Sequence, residues 1–316
     1  MSGINDVTNT AIAYGRHPTP EQDLVFHGGK TIPHLSYLNF YVGGEKAWEK
    51  EEIQNIDNSL EAAMKDEHLN NVMVQYFQDG NISTTFIGST IVEHIAPSVV
   101  SKTVVKELVK NLFAQGVLQN IDFSSTVCNF MLPKGTVLKS EADATASEIG
   151  IEHQASPSII DTNEAASSLH GLAGYHGSVP VTGSSGDQVT IYYAVGVYSE
   201  IGENGFRNGI PVFDRPWKNI VATFYHELQE ARTDPDVEDA SLAGNVSFLG
   251  WVSRKGDECG DFPINEAGYH SLVFKEVPLA NGSGTVPIQF QYSNAVHGPE
   301  GPIPKPHVYQ GDSDTK

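Results

Sequence analysis

The stretch that most constrains this chain is Thr223–Asp236, which reads Thr-Phe-Tyr-His-Glu-Leu-Gln-Glu-Ala-Arg-Thr-Asp-Pro-Asp. On a helix His226 and Glu230 stand at i and i+4, one turn apart on one face. Glu227 lies about 100° round the axis from His226, because a turn takes roughly 3.6 residues. This is the spacing of the H-E-x-x-H metallopeptidase helix, with a carboxylate in place of the second histidine. The helix should end near Thr233, since Pro235 turns Asp234 away from helical backbone angles. A competing reading is available: Glu and Gln are good helix formers, and a solvated face with one histidine gives the same pattern.

Composition narrows the function. The formal net charge is −20 and Lys+Arg total only 19, so a phosphate backbone or an anionic membrane surface would be repelled. No apolar run approaches the ~20 residues of a membrane span. The N-terminus, residues 1–16, lacks the basic start and apolar core of a secretory signal. The expectation is a soluble protein, either cytoplasmic or exported by a non-classical route. Two cysteines, Cys128 and Cys259, make no disulfide framework, and a single bridge between them stays open.

Along the chain, residues 1–27 read as an N-terminal arm, 28–296 as a single domain and 297–316 as a proline-rich tail that is flexible or clamped to the surface. Alternation predicts strands at Leu35–Val42, Thr126–Leu132, Gln188–Val197 and Val286–Ala295, with extended chain at Thr84–Val92. Helical spacing predicts a surface helix over 47–65. A second follows, capped by Ser98 or Ser101, striped by Val104, Val105, Leu108, Val109 and Leu112, and stopped at Gly116. Ala173–Ser178 reads as a small-residue turn that carries His176, and residues 138–168 as a polar surface excursion. A glycine-rich loop, with Gly202, Gly205 and Gly209, leads into the His226 helix.

A catalytic zinc site takes three protein ligands and leaves one position open. His226 and Glu230 supply two. The third is either Asp236, ten residues after the histidine, or one of Asp257, Glu258 and Asp261 from the downstream acid cluster. Glu227 is the candidate general base, taking a proton from water and passing it to the leaving amine. Oxygen-rich ligation also suits harder divalent ions than zinc. His176 is placed to line a cleft opposite the helix, and Tyr269, His270 or Tyr225 to stabilise an oxyanion. No G-x-S-x-G, Walker loop or dinucleotide fingerprint is present.

The residue blocks resemble the phosphate-induced/EXORDIUM-like family and its bacterial zincin-like relatives. They are Gly28-Gly29 with the strand Leu35–Tyr41, Gly174-Tyr175-His176 with Tyr192–Val195, and His226–Ala231 with Thr233-Asp234-Pro235. Gly250-Trp251, Gly256-Asp257-Glu258-Cys259 and Tyr292–Ala295 complete the set. The resemblance implies a secreted or cell-surface zincin-like protein. It favours Asp257 as third ligand, because Asp257 belongs to a matching block and Asp236 does not. The chain departs from the pattern in having Ala173 where relatives usually carry a cysteine, and in having few cysteines.

Together these features predict an α/β (α+β), zincin-like metallopeptidase domain with a twisted mixed sheet and an active-site helix. The expected activity is zinc-dependent (or other divalent-dependent) hydrolysis of peptide or amide bonds in a peptide or protein substrate. The metal would sit on His226, Glu230 and Asp257, with Glu227, His176 and Tyr269 catalytic. The rival expectation is a non-catalytic binding or signalling module with a structural metal.

Overall fold

The computed structural model describes residues 17–93, 98–140, 166–183, 186–203, 205–237, 240 and 243–309. Its centre is a five-stranded mixed sheet in the spatial order Ser83–Val92, His34–Val42, Thr126–Met131, Gln188–Gly196, Gly174–Thr182. The first four strands run parallel and the last is antiparallel to its neighbour. Parallel strands need long crossovers, and helices supply them. Helix α1 (Lys50–Lys65) and the short α2 (Glu67–Met73) lie between the first two strands in sequence, and α3 (Lys102–Ala114) precedes the third. The chain is therefore a mixed α/β structure.

Strands buried on both faces carry apolar residues at nearly every position, and successive side chains sort to opposite faces. Tyr37, Tyr41, Val127, Met131, Tyr192 and Ala194 join one cluster with Ile56 and Leu60 of α1 and Phe224 and Leu228 of the helix that follows the sheet. Phe40, Val42, Cys128, Phe130, Tyr193 and Val195 join the other, with Val105, Leu108, Val109 and Leu112 of α3. Ser101 caps α3 by accepting the Val104 N–H, and Gly116 stops it at φ +72. The two cysteines are free and buried, Cys128 in the α3-side cluster and Cys259 in a separate one, so they do not pair.

Helix α4 (Pro216–Thr233) carries the H-E-x-x-E motif. Proline at its start suits a position where the missing N–H costs nothing, and Asn219 Oδ1 accepts the Val212 and Phe213 N–H groups of the incoming loop, each at 2.9 Å. The helix ends at Thr233, and Asp234 leaves helical angles (φ −150°, ψ 72°) as Pro235 requires. From Asn219 to Thr233 every residue is buried. Helix α4 packs against α1, the sheet and the strand Thr285–Gln289. Full burial of Phe224 and Leu228 contributes roughly 1.5–3 kcal/mol each. This is a core helix with polar residues inside it, not a solvated face.

The structure departs from the sequence reading at one element and adds detail at others. Residues 174–182 form the antiparallel edge strand, not a turn. Gly174 is small because a Cβ there would meet Val195 O at 2.5 Å, Glu227 Oε1 at 2.9 Å and Thr223 Cγ2 at 3.0 Å. The last residues of the arm lie on the body, where Leu24–Phe26 pairs with Trp251–Ser253. In the tail, Gly298–Glu300 pairs with Gln291–Ser293, and the Ile303 N–H donates to His68 O. Of the polar excursion over 138–168, residues 141–165 lie outside the described residues. A short helix α5 (Asp261–Glu266) starts inside the acid cluster.

Candidate metal centre

Register places His176 opposite Ala194, whose side chain faces α4. The edge strand thus aims His176 at the motif helix. From the other side comes the segment Glu258–Asp261, and behind His226 stands Gln289, the last residue of the strand Thr285–Gln289.

On α4, His226 Nε2 lies 3.0 Å from Glu230 Oε2 and 3.9 Å from Glu227 Oε1. Asp261 Oδ1 approaches the same nitrogen to 3.9 Å. His176 Nδ1 lies 3.7 Å from Glu227 Oε2 and 3.6 Å from Glu230 Oε2, and its Nε2 lies 3.4 Å from Glu258 Oε1. Two sets of ligand atoms are close enough to share an ion: His226, Glu230 and Asp261, and His176, Glu227 and Glu230.

Hydrogen bonds fix one proton of His226 at Nδ1. Gln289 Nε2 donates to Gly260 O at 2.6 Å. A carbonyl only accepts, so the amide cannot be flipped, and Gln289 Oε1 must be the atom 2.5 Å from His226 Nδ1. Nδ1 therefore carries a proton, and Nε2 is the nitrogen turned towards Glu230. Gly260 N–H in turn donates to Glu230 Oε1 at 3.0 Å. Gly260 can approach this closely only without a side chain, because its Cβ would fall 2.3 Å from His226 Nδ1.

The cluster is rich in buried charge. Burial alone would lower the His226 imidazole, but the Glu230 and Glu227 carboxylates reverse this and lift it to about 10. Burial would raise Glu230, yet His226 and His176 hold it down at about 2. Glu227 and Glu258 are pushed up, chiefly by burial. Burial and the Glu230 charge push Asp261 to about 7, although 45% of its side chain meets solvent, which screens part of that effect. For His176 burial opposes protonation, and the surrounding Glu258, Glu227 and Glu230 carboxylates outweigh it. Glu227 Oε2 and Glu258 Oε1 are buried without a hydrogen-bond partner among the described residues.

Asp257, expected as a ligand, stands outside both sets. Its Oδ2 accepts from Ser253 Oγ at 3.3 Å, its N–H donates to Ser253 Oγ, and its carbonyl accepts the Ser253 N–H. Gly256, at φ +90, closes this turn. The turn uses the carboxylate and swings the next residues, Glu258 and Asp261, towards α4. Asp236 is held elsewhere, accepting from Tyr192 OH at 2.8 Å. Tyr269 is 77% exposed, beyond Gly268 in the turn that follows α5, so its side chain stands in solvent. Tyr225 is buried in the apolar cluster shared by α1 and α4, and His270 packs beside Phe274. Gln289 and Gly260 escaped the sequence reading. An uncharged amide in an apolar strand and a glycine among acids carry no motif.

No protein-family model, no curated protein and no solved structure matches the chain. The EXORDIUM-like resemblance stands on the residue blocks alone.

Proposed function

We propose that this chain is a zincin-like, divalent-metal-dependent hydrolase of peptide or amide bonds. His226, Glu230 and Asp261 would hold the ion, with Asp261 taking the place expected for Asp257. The observation that carries the reading is the pinned histidine. With Nδ1–H committed to Gln289, Nε2 is the nitrogen left to face a carboxylate oxygen at 3.0 Å. Two lone pairs repel at that distance unless a cation or a second proton lies between them. One neutral imidazole and two carboxylates balance a divalent charge and suit zinc or a harder ion. Hydrogen-bonding of the remote ring nitrogen to a fixed acceptor is the usual support of a metal-bound histidine. Such an ion, when bound, supplies Lewis acidity and makes water more acidic at its open position.

The chain's own residues would then do the following. Glu227 Oε1, 3.9 Å from His226 Nε2, takes up the proton of the attacking water and returns it to the leaving amine. Burial raises the Glu227 carboxyl, so it holds that proton more readily than an exposed glutamate does. His176 Nδ1 faces the Glu227 carboxylate at 3.7 Å, across the gap that opens beside the base. Asp261 marks the open side, because its side chain is the half-exposed member of the set, so substrate enters past α5.

The test is Glu227→Gln in the full chain. Hydrolysis of a peptide library should fall by about 10²–10⁴ while one equivalent of metal stays bound. Unchanged hydrolysis, or a protein that never binds metal, sinks the reading. A second reading has its own support: the 3.0 Å separation also suits an N–H···O bond of a protonated His226. On that reading the helix holds a structural ion pair in a non-catalytic module. Chelator would then leave the melting temperature unchanged and no substrate would be cleaved.

A further inference from the structure

The face of α4 that turns towards the edge strand carries a second set of donors. His176 Nε2 lies 3.1 Å from Asp234 O, and a carbonyl only accepts, so Nε2 holds the proton and Nδ1 presents the other face. Nδ1 stands 3.7 Å from Glu227 Oε2 and 3.6 Å from Glu230 Oε2. Those separations are too long for hydrogen bonds. They do suit atoms that each sit about 2.0–2.2 Å from one shared ion. Glu227 is only 3% exposed, yet its Oε2 has no hydrogen-bond partner and points into this gap. Glu258 Oε1, also buried and unpartnered, lies on the far side of the His176 ring.

Charge counting leads the same way. Glu227, Glu230, Glu258 and Asp234 are all buried, and His176 and His226 are the basic side chains within reach of this group. One ion on His226, Glu230 and Asp261 leaves His176 as the one basic side chain beside Glu227 and Glu258 among the described residues, and buried carboxylates short of countercharge are costly.

We infer that the centre binds a second divalent cation on His176 Nδ1, Glu227 Oε2 and Glu230 Oε2, with Glu230 bridging the two ions. This rests on the reading of His226 and Glu230 as a metal site and extends it. Its donors are again one imidazole and two carboxylates, so the same ions fit. The second ion engages the oxygen pair that the proposed base uses, so filling this site suppresses hydrolysis. The first equivalent of metal should activate the protein and the second should inhibit it.

The experiment is native mass spectrometry of the full chain, stripped with chelator and titrated with Zn2+ alone and with Mn2+ alone. Two ions should bind in sequence, and the doubly loaded Mn2+ form should give an exchange-coupled electron paramagnetic resonance spectrum. His176→Asn should retain the first ion and lower the affinity for the second at least tenfold. If that variant does not fold, as judged by circular dichroism, Glu227→Gln takes its place with the same expectation. One ion only, retained in both variants and lost in His226→Asn, overturns the second site and leaves the first standing. No ion at all overturns both.

Discussion

The sharpest steric prediction concerns Gly260. Its backbone angles, φ −97° and ψ −29°, are open to any L-residue, so replacing it raises no conformational objection. The objection is contact. In Gly260→Ala the new methyl would lie 2.3 Å from His226 Nδ1, 2.6 Å from His226 Cε1 and 2.9 Å from Glu230 Oε1, where ordinary contact begins at 3.4 Å. Neither partner can step aside freely. Gln289 holds the imidazole, and the Gly260 N–H holds the carboxylate. The ring must therefore move by about 1 Å, twice the ~0.5 Å tolerance of a working constellation. Overpacking of this kind costs about 1–3 kcal/mol. Loss of ligand support costs about 10–100-fold in metal affinity. Zn2+ affinity measured against a competing chelator should fall by at least tenfold, with a melting temperature several degrees lower. A Gly260→Ala protein that binds Zn2+ as tightly as the parent and melts with it would refute the reasoning, since the methyl would then have found room.

Other consequences follow from the same geometry. Asp261→Asn should weaken Zn2+ binding about tenfold or more while Asp257→Asn leaves it unchanged, because the Asp257 carboxylate closes its own turn; equal losses in a chelator competition would put the turn in the wrong place. Gln289→Leu removes the partners of His226 Nδ1 and Gly260 O, so Zn2+ affinity should drop about 10–100-fold, and each orphaned group should cost about 1–3 kcal/mol in urea unfolding. The metal-free protein should lose stability as pH rises. Burial and then Asp236 and Glu230 lift Asp234 to about 6, net of the Gly250 hydrogen bond, so its contribution is full below the ordinary carboxylate value and is lost as pH climbs to that point. His226, raised to about 10, adds stability that is full below 6.5 and is lost as pH rises through 10. Calorimetry across pH 5–9 should show the melting temperature falling without metal, and Zn2+ restoring more of it at pH 8 than at pH 6, because the ligands bind it deprotonated. A metal-free profile that rises over this range would contradict the assigned protonation.

The motif helix was legible because its signals are local: His226, Glu227 and Glu230 share a face by spacing, and Pro235 sets the end. The strand Leu35–Val42 was legible because its residues alternate apolar with polar over one extended run. The proposed third ligand was not. Asp257, Glu258 and Asp261 fall within five residues, and the choice among them depends on the Ser253–Asp257 turn and on Gly260 packing against His226. No spacing rule contains those facts. The edge strand that carries His176 looked like a turn because Gly174 and Gly177 are poor strand formers; the need for Gly174 appears only once α4 lies across it. Gln289, which fixes the His226 tautomer, is a tertiary contact 63 residues away and left no trace in the pattern.

The central claim is that His226, Glu230 and Asp261 converge on a divalent ion. Anomalous diffraction from a zinc-soaked crystal tests it most directly. A peak is expected about 2.0–2.2 Å from His226 Nε2 and from carboxylate oxygens of Glu230 and Asp261, with His226 Nδ1 still bonded to Gln289. A map with no zinc peak near His226, or with zinc held by Asp257 instead of Asp261, would contradict it.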